Sequence, residues 1–218
     1  MHVARMALHL DDGSSAGGAA LEADLAAAMA SLQAARMDVI AYGCTAGSMV
    51  SPLHILTDRM QEMAGVPCAA TAPALVLAAR FLGLRRVAVA TPYCERLNRH
   101  EAHFLQSHGL AVAGIRGLGI GAGGPHEYAE IAQVPEREVF DHALASWQEG
   151  ADGMIISCTD FASLRSIPAL EERIGKPVIS SNTATLWRSL RLAGVDRKLD
   201  GAGRLLALNE RADAGGRP

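Results

Sequence analysis

The stretch Asp38-Val-Ile-Ala-Tyr-Gly-Cys44-Thr45 recurs as Asp152-Gly-Met-Ile-Ile-Ser-Cys158-Thr159, with an aspartate six residues ahead of a Cys-Thr pair in both copies. Each copy is a short apolar run ending in a turn, the pattern of a strand buried on both faces. The match continues downstream. Gly65-Val-Pro67 and Gly175-Lys-Pro177 each open a further strand, expected to end in Thr71-Ala72-Pro73 or Asn182-Thr183-Ala184. A helix then closes at Leu82-Gly83 or Ala193-Gly194. An internal repeat of this length means two related structural units.

Outward from the repeat, the same alternation holds. Arg86-Val-Ala-Val-Ala is another strand, and helical stretches separate the strands. Ala19 to Ala35 carries Leu21, Leu25, Met29 and Leu32 on one stripe, preceded by a Gly/Ser-rich loop from Asp11 to Gly18. Strands alternating with helices predict an α/β fold with parallel sheets. The division expected is residues 1–84 with 178–210 in one lobe, 85–177 in the second, and a flexible tail over 211–218.

Composition narrows the function. The chain has 218 residues, half of them hydrophobic, and a net charge of −3, an ordinary balance for a cytoplasmic protein. With no basic excess and only two Trp, three Tyr and four Phe, it lacks the features that bind nucleic acid. No apolar run reaches the roughly 20 residues that span a bilayer. Four cysteines without C-x-x-C spacing fit neither a disulfide framework nor structural zinc.

In a parallel α/β sheet, ligands bind beyond the carboxyl ends of the strands, where Cys44 and Cys158 both fall. A thiol at a helix start is expected to favour thiolate. Two lobes related by a pseudo-twofold axis would set one thiol on each face of a ligand held in the cleft between them. That arrangement suits proton removal on one face and delivery on the other, or attack on an alkene by one thiol while the other handles a proton. Neither metal nor organic cofactor is needed. Thr45, Ala46 and Thr159 would supply backbone N–H groups and two hydroxyls to carboxylate oxygens. Either cysteine alone would read as a small core residue; the repeated position is what singles out the pair.

Cys44-Thr45-Ala46-Gly47-Ser48 and Cys158-Thr159-Asp160-Phe161 resemble the two cysteine motifs of the aspartate/glutamate racemase superfamily, with Asp160 where amino-acid racemases carry histidine. Tyr42-Gly43-Cys44-Thr45, the run from Leu82 to Tyr93, the run from Ile174 to Asn182 and Gly203-Arg204-Leu205-Leu206 are similar to the branch of maleate cis-trans isomerases, ectoine-utilisation proteins and arylmalonate decarboxylases. The resemblance implies two flavodoxin-like lobes and a small carboxylate substrate. It implies Cys44 as nucleophile, Cys158 as acid/base, and Tyr93 as a hydrogen-bond donor to a substrate carboxylate. In that branch's decarboxylases glycine replaces the first cysteine, so Cys44 points toward isomerisation of a small dicarboxylate. Racemisation or decarboxylation by the same thiols is the second reading, and a binding-only or inactive fragment the third. The branch's first strand, with its Pro-Ser-Ser-Asn-like loop, has no counterpart from Met1 onward, where His2-Val-Ala-Arg-Met reads as the strand after it. A homo-oligomer is compatible with such a shortened first lobe.

Other motifs read more simply. Gly119-Ile-Gly121-Ala-Gly123-Gly124 matches G-x-G-x-x-G, but Pro125 follows at once, and a loop near the cleft is the better reading. His100, His103 and His108 lie on what reads as a solvated helix face without metal-binding spacing. Cys68 reads as core, and Cys94 as core or cleft lining beside Tyr93. Tyr42 reads as packing, Asn182 as a helix cap, and Asp38 and Asp152 as turn or cap residues away from the site.

Overall fold

The structure is a computed structural model that describes residues 1–7 and 19–208. The loop over 11–18 and the tail over 211–218 lie outside the described residues. Helix α1 (Ala19–Gln33) is followed by β1 (Ile40–Tyr42), α2 (Ile55–Ala64), β2 (Cys68–Ala70) and α3 (Thr71–Phe81). Then come β3 (Arg86–Tyr93), α4 (Glu95–Ser107), β4 (Ala111–Ile120) and α5 (Glu136–Ala145). The chain continues through β5 (Gly153–Ile156), α6 (Ile167–Ile174), β6 (Val178–Ser180), α7 (Ser181–Leu192) and α8 (Arg204–Ala207).

All strand pairs are parallel. They form one sheet of β1 and β2 and a second in the order β4-β3-β5-β6. The repeat is visible in these elements: β1-α2-β2-α3 has the same order as β5-α6-β6-α7. Gly65 and Gly175 end α2 and α6 in the left-handed conformation, at φ 67° and 69°. A residue without Cβ adopts that conformation freely, which is why glycine stands at both places.

The second sheet is buried on both faces. Val87, Val89, Ile155 and Ile179 point to a core shared with α3 and α7. Ala88, Ala90, Met154, Ile156 and Val178 point to a core holding Phe161, Ile167 and Leu170. A third core, with Leu25, Met29, Ile40, Leu56 and Met60, joins α1 and α2 to the smaller sheet. Helices α3 and α7 pack on each other; both touch β2 and β6, and α7 also reaches β1. The predicted stripe of α1 is confirmed by the burial of Leu21, Leu25 and Met29.

Four details differ from the sequence reading. His2 to Met6 forms no strand: β1 pairs with β2 alone among the described residues, and Val3 is exposed. Thr71-Ala72-Pro73 and Asn182-Thr183-Ala184 are not strand ends but first turns of α3 and α7. Proline suits that turn, where its missing N–H has no ladder partner to lose. Val178–Ser180, grouped by sequence with the first lobe, pairs with β5, because Val178 and Ile179 fill the cores on its two faces. Finally, the histidine face of α4 is only partly solvated: His103 is exposed, but His100 and His108 are half-buried.

The glycine-rich loop is closed from within. The Glu127 carboxylate accepts N–H bonds from Gly121 at 2.7 Å and Gly123 at 3.1 Å, occupying the backbone concavity a phosphate would need. Asp152 accepts the N–H groups of Arg85 and Arg86 at the opening ends of β3 and β5, away from the strand carboxyl ends. No helix among the described residues is long and apolar enough to cross a membrane.

Candidate active site

Strands β1, β3 and β5 end at Tyr42, Tyr93 and Ile156, so Cys44, Tyr93 and Cys158 emerge at the carboxyl ends of parallel strands. Both sulfurs are half-buried free thiols. Neither precedes an α-helix directly. A three-residue 3-10 turn over Ala46–Ser48 follows Cys44, and a turn leads from Cys158 to a 3-10 segment at Leu164–Ser166. The helix field expected to favour thiolate is therefore reduced to a few local N–H groups.

Those groups are well placed. The Gly47 N–H donates to Cys44 Sγ at 3.4 Å, and the Ala46 N–H also favours its thiolate. The Asp160 N–H and the Tyr93 hydroxyl do the same for Cys158. Burial outweighs them. It raises the Cys44 thiol, with the Asp160 charge adding to the effect, and pushes Cys158 up to about 11, with Asp160 and Cys44 adding to it. Both thiols are protonated at neutral pH, the reverse of the sequence expectation.

The two lobes converge here. Ala46, from the first, packs with Cys158 against the cluster containing Tyr93, Cys94 and Phe161. Cys158 feels the charge of Cys44, and Tyr93 that of both. Burial, followed by those charges and that of Glu101, holds the Tyr93 phenol well above its ordinary range. Its backbone is fixed by a buried network: Tyr93 N–H donates to Thr91 Oγ1 at 3.0 Å, and Thr91 Oγ1 donates to Asn98 Oδ1 at 2.6 Å. Gly117 makes room for this, since a Cβ there would collide with Tyr93 O and Asn98 Nδ2.

Both threonine hydroxyls expected to face the ligand are engaged within the protein. Thr45 Oγ1 lies 2.8 Å from Ser181 Oγ, and Thr159 Oγ1 donates to Gly43 O at 2.9 Å. Asn182 Nδ2 donates to Thr159 O at 2.9 Å, whereas the cap of α7 is Ser180, bonded reciprocally to Thr183. What remains for a ligand around the cysteines is backbone N–H and the thiols, with the Tyr93 hydroxyl shared with Cys158.

Sequence reasoning missed several supports. A Cβ at Gly47 would meet Tyr42 Oη at 2.6 Å and Cys44 Sγ at 3.3 Å, so only glycine lets the turn fold over the thiol. Ser48 Oγ donates to Cys44 O at 2.6 Å and accepts from the Ala72 N–H at 2.9 Å, tying the turn to α3. Their place within Cys-Thr-Ala-Gly-Ser was the available signal. Cys68 and Cys94 are buried, with Cys68 Sγ donating to Val66 O at 3.3 Å.

Comparison with known proteins agrees with this architecture. Arylmalonate decarboxylase of Bordetella bronchiseptica is 37% identical over 153 residues, 69% of this chain and 62% of that enzyme, so less than two thirds of its length is matched. Maleate isomerase of Nocardia farcinica is 28% identical over 214 residues, 94% of this chain and 82% of the relative. A cysteine-to-serine variant of the Nocardia farcinica maleate cis-trans isomerase, carrying a covalently bound succinylcysteine intermediate, superimposes with a TM-score of 0.83 at 26% identity, covering 94% of this chain and 85% of that one. A crystal structure of arylmalonate decarboxylase gives 0.77 at 32% identity, covering 86% and 82%. These relatives are enzymes that share the racemase-like two-lobed α/β fold seen here. The arylmalonate decarboxylase family model matches residues 6–206, and the chain belongs to that family.

Proposed function

We propose that this protein is a cofactor-independent isomerase that converts a small cis-dicarboxylate such as maleate to its trans isomer, with Cys44 and Cys158 as its working thiols. The observation that carries the reading is the pair itself: two half-buried cysteines at equivalent ends of β1 and β5, electrostatically coupled and flanking Tyr93. A reaction needing one thiol would leave the other without a task.

In this reading the Cys44 thiolate adds to one alkene carbon and the π pair moves toward the neighbouring carboxylate. The Cys158 thiol gives its proton to the second carbon, leaving a succinyl thioether on Cys44 and a thiolate on Cys158. Rotation about the new single bond follows. Cys158 retrieves the proton, the C–S bond breaks, and the trans product departs with both sulfurs as they began. The succinylcysteine held by the Nocardia farcinica relative supports this route. Backbone N–H groups of Thr45, Ala46 and Thr159, with the Tyr93 hydroxyl, would hold the carboxylates. Because burial raises Cys44, turnover of maleate should climb with pH as its thiolate forms.

The 37% identity to arylmalonate decarboxylase favours a second reading, in which Cys158 protonates an enediolate after loss of carbon dioxide. Proton NMR in deuterated water, with maleate, aspartate, glutamate and an arylmalonate supplied separately, separates the two. Maleate giving fumarate, with Cys44→Ser and Cys158→Ser each slower by about 100-fold or more, is the expected result. Inert maleate with decarboxylated arylmalonate would replace the isomerase by the second reading, and α-deuterium exchange on an amino acid would replace both by racemisation.

A further inference from the structure

Helix α4 carries Leu97, Glu101, Phe104 and Leu105 on its buried stripe, and Glu101 is only 1% exposed. A carboxyl among these apolar neighbours costs stability that a leucine would not, so packing does not explain it. Its Oε1 accepts a hydrogen bond from Ser157 Oγ, and Ser157 immediately precedes Cys158. Oε2 is buried with no hydrogen-bond partner. The group bonded to the carboxyl is Ser157 at the end of β5, and the Tyr93 phenol of β3 is near enough to sense its charge; no cation among the described residues forms an ion pair with it. Tyr93 in turn donates to Cys158. Two routes, one through Ser157 and one through Tyr93, thus lead from a single buried acid to one thiol.

We propose that Glu101 is a positioning residue of the site: through Ser157 it fixes the strand end bearing Cys158, and through Tyr93 its protonation governs how readily that thiol ionises. The proposal rests on Cys158 being a working thiol. Burial lifts the Glu101 carboxyl to about 7, and the Ser157 hydrogen bond opposes the rise. Below that pH the neutral acid leaves Tyr93 a good donor to the Cys158 thiolate. Above it, the added negative charge makes the phenol a weaker donor and the thiolate harder to form.

The test is the rate of iodoacetamide modification at Cys158 across pH, followed by peptide mass spectrometry, with Cys44 as the internal comparison. The parent should show an inflection near pH 7 in addition to that of the thiol. Glu101→Gln, neutral at every pH, should lack it and react about threefold faster at pH 8.5, half a unit in the apparent Cys158 pKa, with Cys44 unchanged. Superimposable Cys158 profiles would overturn the proposal. If E101Q lacks a cooperative melt, Ser157→Ala serves: losing the hydroxyl should move the lower inflection to higher pH, and an unmoved inflection is the overturning result. The alkylation profile needs no substrate, so inert maleate with an intact Glu101 inflection would sink only the isomerase reading.

Discussion

Cys158 holds φ at +84°, a left-handed conformation that costs a residue with a Cβ about 1–2 kcal/mol. The turn after β5 takes this shape with the Asp160 N–H aimed back at the sulfur, so the strain sits on the backbone of the residue that would react. Cys158→Gly should therefore be more stable than Cys158→Ala by about 1 kcal/mol in a urea titration, reversing the order usual within regular structure. Cys44, with no positive φ, should show no such reversal. The residues of the two cysteine motifs were legible in sequence because they repeat. Their ionisation was not, since burial is decided by residues distant in the chain. Glu101 left a trace: an acid four residues after Leu97 and three before Phe104 breaks an apolar stripe. Which group it faces depends on where β5 ends.

Among the elements, α7 has the most explicit start. Ser180 Oγ accepts from the Thr183 N–H at 3.2 Å, Thr183 Oγ1 accepts from the Ser180 N–H at 2.9 Å, and both residues are buried. Ser180→Ala should lower stability by about 1–2 kcal/mol, read as a shifted thermal midpoint, because water cannot replace the cap. The loss should reach the site, since Ser181 meets Thr45 and Asn182 meets Thr159. Element order was readable from alternating apolar runs and glycine stops at Gly65, Gly83, Gly175 and Gly194. The sheet joined by Val178–Ser180 was not, because Val178 and Ile179 fit either sheet until the cores on both faces are assembled.

For the whole molecule, Glu101 sets a slope of stability against pH. Its pKa is higher folded than unfolded, so the folded state binds the extra proton. Stability is then greatest below about pH 4.5 for this group and falls as pH rises toward about 7, by on the order of 3 kcal/mol. Denaturant melts of the parent at pH 5 and pH 8 should show that fall, and E101Q should remove most of it. Helices α3 and α7 are tied directly: Thr185 Oγ1 donates to Thr71 Oγ1 at 3.0 Å, beside the Thr45–Ser181 contact. Sheet pairing sends the chain from β1 and β2 into the second sheet, and α7 then brings it back against β1 and β2. Synthesis on a ribosome runs in the order of the chain, and α7, which packs on the smaller sheet, follows the whole of the second sheet. Until α7 has left the exit tunnel, β5 has no β6 beside it and the smaller sheet lacks its covering helix. The nascent protein must therefore carry unfinished edges until β6 and α7 have emerged.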